Sequence, residues 1–383
     1  MMNNYDITII GAGSVGVPLS FYLAEKGAKV AVIEKNHSIG RGQNRAAIGG
    51  IRATHSNPAK IKIAQRTIDI VSSMDVEYGF DVDWYAGGYL FAVYTSKHEN
   101  DLRKLLEFQK HYHLNIDWVP PSVVEELVPG INSEGLRGGT YSPDDGSASP
   151  LKVIDSFYKL AVDAGVDFFF DERVEDLNLN SHKIKEVKTN KNNYSSDLVI
   201  NAAGGNAQDI GKLAHLDIPV YPDSHEGGIT EPVKRFFDPM VIDLREGGKS
   251  ANYYFYQNAE GQIVFCMTPK PKIPGKDINC TSEFLPEVVK RMINLYPRLR
   301  NIRVRRTWRG LYPMTPDGFP IIGFADTIDN FFLTVGMCGH GFMLGPGLGE
   351  ILAEVIVDES EQYNDILQQL SPSRDFSGKE QLE

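Results

Sequence analysis

The sequence predicts an α/β fold, with a parallel, nucleotide-binding first half and a β-rich α+β domain set against it. Three observations carry this. Residues 5–34 read YDITIIGAGSVGVPLSFYLAEKGAKVAVIE: a short apolar strand, a glycine-rich turn, a helix, and a second strand ending in an acid. From Ile218 onward strand-like segments dominate. Towards the end, a further strand, glycine-rich loop and helix follow one another over residues 331–357.

In the first stretch, Ile7, Ile9 and Ile10 form an apolar run too short for a helix and bounded at once by glycine, which reads as a buried strand. Gly11-Ala12-Gly13-Ser14-Val15-Gly16 follows without a spacer. Val15, Leu19, Tyr22 and Leu23 then recur at helical spacing until Gly27 stops the helix. Residues 29–33 make the next strand, with Glu34 at its end. Gly11 permits a tight turn, Gly13 lets a pyrophosphate reach the backbone, and Gly16 lets helix and strand pack closely. The helix N-terminus offers N–H donors and a partial positive charge to phosphates. Glu34 can accept hydrogen bonds from ribose hydroxyls. Together these predict a Rossmann-like βαβ unit for an adenine dinucleotide. The motif by itself does not separate FAD from NAD.

The 383 residues are enough for two domains and a large core. A formal net charge of −11 argues against a nucleic-acid partner, because phosphate binding needs a basic surface. Cys266, Cys280 and Cys338 show neither metal-ligand spacing nor a disulfide framework, so a reduced, cytoplasmic setting is expected. No apolar stretch approaches a membrane span, and the start lacks the basic region of a signal peptide. The polar segment after Leu370 is expected to fray.

Residues 40–52, GRGQNRAAIGGIR, read as a loop beside the dinucleotide. Small residues at Ala46, Ala47, Gly49 and Gly50 would let backbone amides reach phosphate or flavin; a flexible surface loop is the alternative. Arg52 can hold a carboxylate bidentately or serve as a surface salt-bridge partner. Residues 59–78 are expected as a helix and 87–94 as a strand. His111 and His113, in the helix 99–113, lie on different faces and read as solvated. Residues 138–150, rich in Gly, Ser, Asp and Pro, read as a loop, with Asp144 and Asp145 as turn residues. A helix over 151–164 is capped by Gly165. Then come a strand at 166–170 and a hairpin of 174–179 with 183–189. Residues 197–205 form a buried strand running into small residues, which either approach the dinucleotide or pack helix against sheet.

In the second half, residues 226–230, 240–244, 253–257 and 262–266 read as strands. Tyr254 and Tyr256 share one strand face, and Tyr253 and Phe255 the other. One pair packs, and the other faces a cavity or solvent. Residues 284–296 form a helix, and residues 303–306 are basic. After the strand 331–335 comes GMCGHGFMLGPGLG, then a helix over 350–357 whose N-terminus can offer donors to an electron-rich ring edge. His340, between two glycines, is a candidate for lining the site.

The glycine motif, the 40–52 loop, Thr315-Pro316-Asp317-Gly318 and Gly339-His340-Gly341-Phe342 resemble, in order and spacing, the D-amino acid oxidase superfamily of FAD enzymes. Gly50-Ile51-Arg52, Arg306-Thr307-Trp308 and Gly339-His340-Gly341-Phe342-Met343 bring the likeness nearer to the catalytic β subunits of L-proline dehydrogenase and heteromeric sarcosine oxidase. The resemblance runs from Tyr5 to about Val357. It implies FAD rather than NAD, held by a discontinuous Rossmann-like domain of residues 1–88, 142–217 and 306–370. It implies a β-rich substrate domain inserted as residues 89–141 and 218–305, with 371–383 as a tail. Cofactor contacts are implied at Gly11, Gly13, Ser14, Gly16, Glu34 and Lys35. The loop would add Gly42, Gln43, Ala47, Gly49, Gly50 and Ile51. Val174, Ala203, Gly204 and Gly310 would follow, then Gly336, Gly339, His340, Gly341, Phe342 and Met343.

The resemblance also implies a reaction: a small secondary or α-amino acid, L-proline ahead of sarcosine or glycine, gives a hydride to flavin N5 and leaves an imine. The cofactor carries the hard chemistry, and the protein positions and polarises. Arg52 matches the arginine that holds the substrate carboxylate in monomeric sarcosine oxidase. His340 would line the site, and Tyr254 or Tyr256 would wall the substrate cavity. Met343 stands where monomeric sarcosine oxidase has a lysine, so a dehydrogenase is expected rather than an oxidase. Gly310 stands about where monomeric enzymes carry the flavin-linking cysteine, and the FMN-linking histidine of the heteromeric enzyme falls near Pro150. Non-covalent FAD is therefore expected, with any FMN shared non-covalently with a partner subunit. Hetero-oligomers with other dehydrogenase subunits, or a homo-oligomer, are implied by the relatives. Two other readings stand beside this one: a FAD-dependent 2-hydroxy-acid or glycerol-phosphate oxidoreductase, and a flavin-bearing subunit relaying electrons in a larger assembly.

Overall fold

Strand β1 (Met2–Ile10), helix α1 (Gly16–Glu25) and strand β2 (Val30–Ile33) form a parallel βαβ unit, with Ile7 opposite Val30 and Ile10 opposite Ile33. A computed structural model describes residues 2–382. Parallel neighbours need a crossover, and α1 supplies it. Strand Asn193–Asn201 lies parallel on the other side of β1, followed by Ile328–Val335, while Asp167–Phe169 lies beyond β2. The antiparallel strand Ile321–Ala325 and the hairpin Val174–Asn180 with Lys183–Thr189 complete the sheet. Helices α1, α2 (Pro58–Tyr78), Pro150–Asp163 and Gly341–Val357 pack over it, burying Leu19, Leu23, Ile63, Phe157, Leu344 and Leu348.

The second sheet also has eight strands. It is antiparallel except where Tyr89–Val93 runs beside Met240–Asp243. Behind it Tyr253, Phe255, Phe265 and Tyr296 pack with the helix Phe284–Leu295. Strand Val304–Met314 pairs with Tyr221–Pro232 as far as Met314, so a boundary at residue 306 falls inside a strand.

The structure differs from the sequence expectation in three places. Residues 138–150 are not all loop: Gly138–Ser142 pairs with Tyr89–Val93, and Gly146–Ser147 with Gly50–Ile51. Their glycines are there for close approach, since a Cβ on Gly139 would sit 2.5 Å from the Phe91 carbonyl oxygen. The last long helix begins at Gly341, not Glu350. Gly345, Gly347 and Gly349, which read locally as loop, press the helix against Ser14, Ile63 and Leu19, where a Cβ would overlap backbone. Tertiary packing overrides their low helix propensity.

The third difference is the segment after Leu370, which does not fray. Arg374 forks onto Asp317 at 2.7 and 3.0 Å. The Glu380 N–H donates to the Asp317 carbonyl at 3.0 Å, and Glu380 and Leu382 are buried. Among the described residues, no helix is long and apolar enough to cross a membrane.

Candidate active site

A cavity of about 290 Å³ runs from the β1–α1 turn to the second sheet. At its first end Gly11 adopts φ +114°, and an added Cβ would sit 2.6 Å from the Ala202 carbonyl oxygen. Gly13 and Gly42 line the cavity and face open space where a Cβ would stand. The first turn of α1 has no side-chain cap, which leaves its amides for a ligand anion. Glu34 is buried at the end of β2, and its carboxylate accepts the Ala12 N–H and the Asn36 N–H, each at 2.9 Å. Ser14, Lys35, Gln43, Ala47, Val174, Ala203 and Gly204 line the same space. The Gln43 side-chain oxygen accepts the Gly205 N–H at 3.3 Å, tying the loop to the end of Asn193–Asn201.

Three of the expected cofactor residues stand back from the cavity. A Cβ on Gly16 would overlap the Gly11 carbonyl, so this glycine closes the turn. Ile51 is buried in the core, and Gly336 packs on Thr315.

Farther in, Gly49, Gly50, Gly310, Gly339, His340, Gly341, Phe342 and Met343 line the cavity. The helix Gly341–Val357 presents its uncapped N-terminus there, after a turn in which Cys338 and Gly339 adopt φ +49° and +84°. The Tyr312 ring fills the place of a Gly339 Cβ. His340 is buried, with its Nδ1 3.3 Å from the Lys60 Nζ and its ring edge-on to His55 at 5.1 Å. Burial, then the Lys60 and Arg52 charges, hold His340 well below the usual histidine range, so it is neutral.

At the substrate end, Arg52 is 6% exposed, which excludes a surface salt bridge. Its Nη2 donates to the Leu382 carbonyl at 2.7 Å, and its Nη1 to the Thr54 carbonyl. The guanidinium lies 5.7 Å from the Phe91 ring centre. Tyr254 lines the cavity, its hydroxyl 2.9 Å from that of Tyr312. Tyr256 lies behind the loop and donates to the Ile48 carbonyl at 2.7 Å. Tyr253 and Phe255 are the pair that packs in the core.

Several residues escaped the sequence reading. Asp145 is buried, not a surface turn residue: it accepts the Ala53 N–H at 2.8 Å and the Thr54 hydroxyl at 3.2 Å. Burial pushes its carboxyl up to about 7, against the pull of the Ala53 N–H and the Arg52 charge. Lys60 is fully buried and paired with Glu380. Its place between Ala59 and Ile61, one helical turn from Ile63 and Ala64, was the available signal. Burial pulls the Lys60 ammonium down, and Glu380 offsets this in part. Asp223, His225, Tyr312 and Leu382 also line the cavity; they come from segments that carry no motif.

Comparison with known proteins agrees with this geometry. The family described as FAD dependent oxidoreductase matches residues 6–355. Mitochondrial sarcosine dehydrogenase of Mus musculus is 24% identical over 382 residues, covering 94% of this chain and 40% of that protein. The chain therefore spans about two fifths of the length of that relative. Sarcosine oxidase subunit beta of Rhizobium meliloti is 24% identical, covering 94% of this chain and 86% of that protein. Among solved structures, L-proline dehydrogenase from P. horikoshii superposes with a TM-score of 0.90 at 30% identity, covering 97% of this chain and 98% of that one. The open glycine cradle, the uncapped helix ends and the buried acid at the end of β2 fit an adenine dinucleotide that carries a flavin. This chain belongs to the family of FAD-dependent oxidoreductases, and FAD is its cofactor.

Proposed function

We propose that this protein is a FAD-dependent amino-acid dehydrogenase that oxidises a small secondary or α-amino acid, L-proline ahead of sarcosine and glycine, to its imine. The observation that carries this reading is Arg52, a buried guanidinium on the cavity wall whose partners at hydrogen-bond distance are two neutral carbonyls. Among the described residues this buried cation donates to carbonyls and has no carboxylate at hydrogen-bond distance, so a carboxylate ligand would add charge-assisted bonds in a fork geometry. The Leu382 carbonyl marks an acceptor position that a substrate carboxylate would take over. Tyr254, Tyr312 and Phe91 wall the space around it. FAD, when bound, supplies the hydride acceptor. The uncapped amides that open the helix Gly341–Val357 would favour negative charge on a flavin ring edge held there.

Met343 stands where the oxidase alternative would place a lysine, and the Lys60 ammonium is tied to Glu380; the lysines that line the cavity, Lys35 and Lys272, lie at the end of β2 and on the loop after strand Gln262–Pro269. This supports a dehydrogenase that passes electrons to an acceptor other than O2. The 30% identity to L-proline dehydrogenase from P. horikoshii supports proline as the first substrate to test. FAD is held without a covalent link, in a cytoplasmic enzyme that assembles either with other dehydrogenase subunits, where a shared FMN would sit, or with copies of itself.

The test is anaerobic mixing of the purified holoenzyme with L-proline, sarcosine, glycine and a 2-hydroxy acid while the flavin absorbance is followed. Bleaching by L-proline or sarcosine is expected. Bleaching by the 2-hydroxy acid alone would overturn the amine reading.

A further inference from the structure

Lys60 sits in the first turn of α2, where the Asn57 side chain accepts its backbone N–H at 3.1 Å, and its own side chain is fully buried. Its Nζ meets two groups: the Glu380 carboxylate, and the His340 Nδ1 at 3.3 Å. Against burial, the Lys60 charge holds the Glu380 carboxyl well below the usual carboxylate range, so the pair is ionised. The Glu380 Oε1 accepts the Leu382 N–H at 3.2 Å, and the Leu382 carbonyl accepts from Arg52 at 2.7 Å. A polar chain therefore runs from Arg52 through Leu382, Glu380 and Lys60 to His340. Both of its ends, Arg52 and His340, line the cavity, while Lys60 and Glu380 are buried behind the wall.

An ammonium donates hydrogen bonds and accepts none. The His340 Nδ1 beside it must therefore offer its lone pair, and a neutral imidazole then carries its proton on Nε2. Burial and the Lys60 and Arg52 charges keep this ring neutral. With Nδ1 turned into the wall, the Nε2 side is left for the cavity. His55, fully buried, packs edge-on against the same ring at 5.1 Å and helps to hold its orientation. A carboxylate forked by Arg52 still has acceptor sites to spare, because its two oxygens offer about four lone pairs.

We propose that Lys60 is a positioning residue that fixes His340 as its Nε2–H tautomer, and that His340 donates this hydrogen bond to the substrate carboxylate held by Arg52. This rests on the carboxylate part of the functional reading and is independent of the amine. His340 then acts as a donor that orients the substrate, and it takes no proton during the reaction. Lys60 reaches the substrate only through His340, and Glu380 keeps Lys60 charged in a place where burial alone would pull its proton off.

The test begins with NMR of holoenzyme carrying isotope-labelled histidine, the His340 nitrogen signals being assigned by their absence from His340→Gln. Wild type should show a protonated Nε2 and a bare Nδ1. Lys60→Met combined with Glu380→Leu removes both charges of the pair and leaves the net charge of the site unchanged. Its His340 signals should move towards a mixture of the two tautomers. A protonated Nδ1 in wild type, or wild-type signals in the double variant, would overturn the role of Lys60. A hydrogen bond to a charged acceptor shifts an equilibrium by about 10–100-fold. KM for the substrate that reduces wild type should rise by about that factor in His340→Leu, with kcat and the flavin midpoint potential close to wild type. His340→Gln keeps an N–H donor and should recover most of the loss. Unchanged KM in His340→Leu, or a lower midpoint potential with unchanged KM, would overturn the carboxylate as acceptor. If His340→Leu folds poorly, acetate added to wild type as a competing carboxylate replaces it: the His340 Nε2–H signal should move, and an unmoved signal would overturn the contact. Amino acids and 2-hydroxy acids both carry the carboxylate. If only a 2-hydroxy acid bleaches wild type, the amine reading fails, and the KM comparison made with that acid still decides the role of His340.

Discussion

Arg52 sets the substrate chemistry through its burial. Replacing it with Met removes the fork that would hold a carboxylate, and losing one side of a buried charged pair costs about 2–5 kcal/mol. KM for the amino acid should rise at least about 30-fold, while the flavin spectrum stays as in wild type. Steady-state kinetics checks this, and unchanged KM would remove Arg52 from the site. Asp145 makes a second prediction at this scale. Its carboxyl, pushed up to about 7, lies above the unfolded value of about 3.9. The folded state therefore binds more protons than the unfolded state between those values. The stability Asp145 contributes is full below about pH 4 and is lost as pH rises towards 7, by at most about 1.4 kcal/mol per pH unit. Asp145→Asn should flatten this part of the stability profile in urea titrations at pH 5 and pH 7. A variant profile parallel to wild type would contradict the assignment.

At the scale of elements, the segment 371–382 behaves as part of the fold. Glu380 and Lys60 are both buried, and Arg374 is bonded to Asp317. Glu380→Ala leaves the Lys60 ammonium buried without its partner, which should cost about 3–5 kcal/mol. Removing both charges with Lys60→Met and Glu380→Leu should recover most of that loss, because the pair is coupled. Thermal unfolding of the two single variants and the double variant measures this. Simple addition of the two single effects would show that the pair does not act as a unit. The helix Gly341–Val357 carries a parallel expectation. Gly345→Val drives side-chain atoms into the Ser14 backbone and should separate the helix from α1. Loss of bound flavin on gel filtration is the expected result, since both helix N-termini face the cavity; retention at wild-type stoichiometry would argue that this contact is dispensable.

For the molecule as a whole, the cofactor cavity is built from segments distant in sequence: the β1–α1 turn, the 40–52 loop, the end of Asn193–Asn201, strand Val304–Met314 and the residues before Gly341. A ligand that touches all of them binds only the folded chain. Free FAD at 100 times its dissociation constant should therefore stabilise the fold by about 2.7 kcal/mol. Melting curves of flavin-free protein with and without added FAD test this, and coincident curves would mean that the cavity forms without regard to the cofactor.

What the sequence by itself determined was local. The βαβ unit, its glycines, Glu34 and the Gly339-His340-Gly341-Phe342 turn were legible because each turn needs backbone freedom that only certain residues allow, at fixed spacing. Arg52 was legible as a cation in a glycine loop, but not as buried. Tertiary structure alone decided that Asp145, Lys60, Glu380 and Leu382 meet at Arg52 and His340, and that Asp223 and His225 reach the cavity. Burial and pairing of these groups depend on partners up to 330 positions away in the chain, as between Arg52 and Leu382, and no local period or propensity encodes a contact of that range. The same reason explains the glycines at the start of the last long helix: their local preference is for a loop, and the backbones they must touch belong to the β1–α1 turn, α1 and α2.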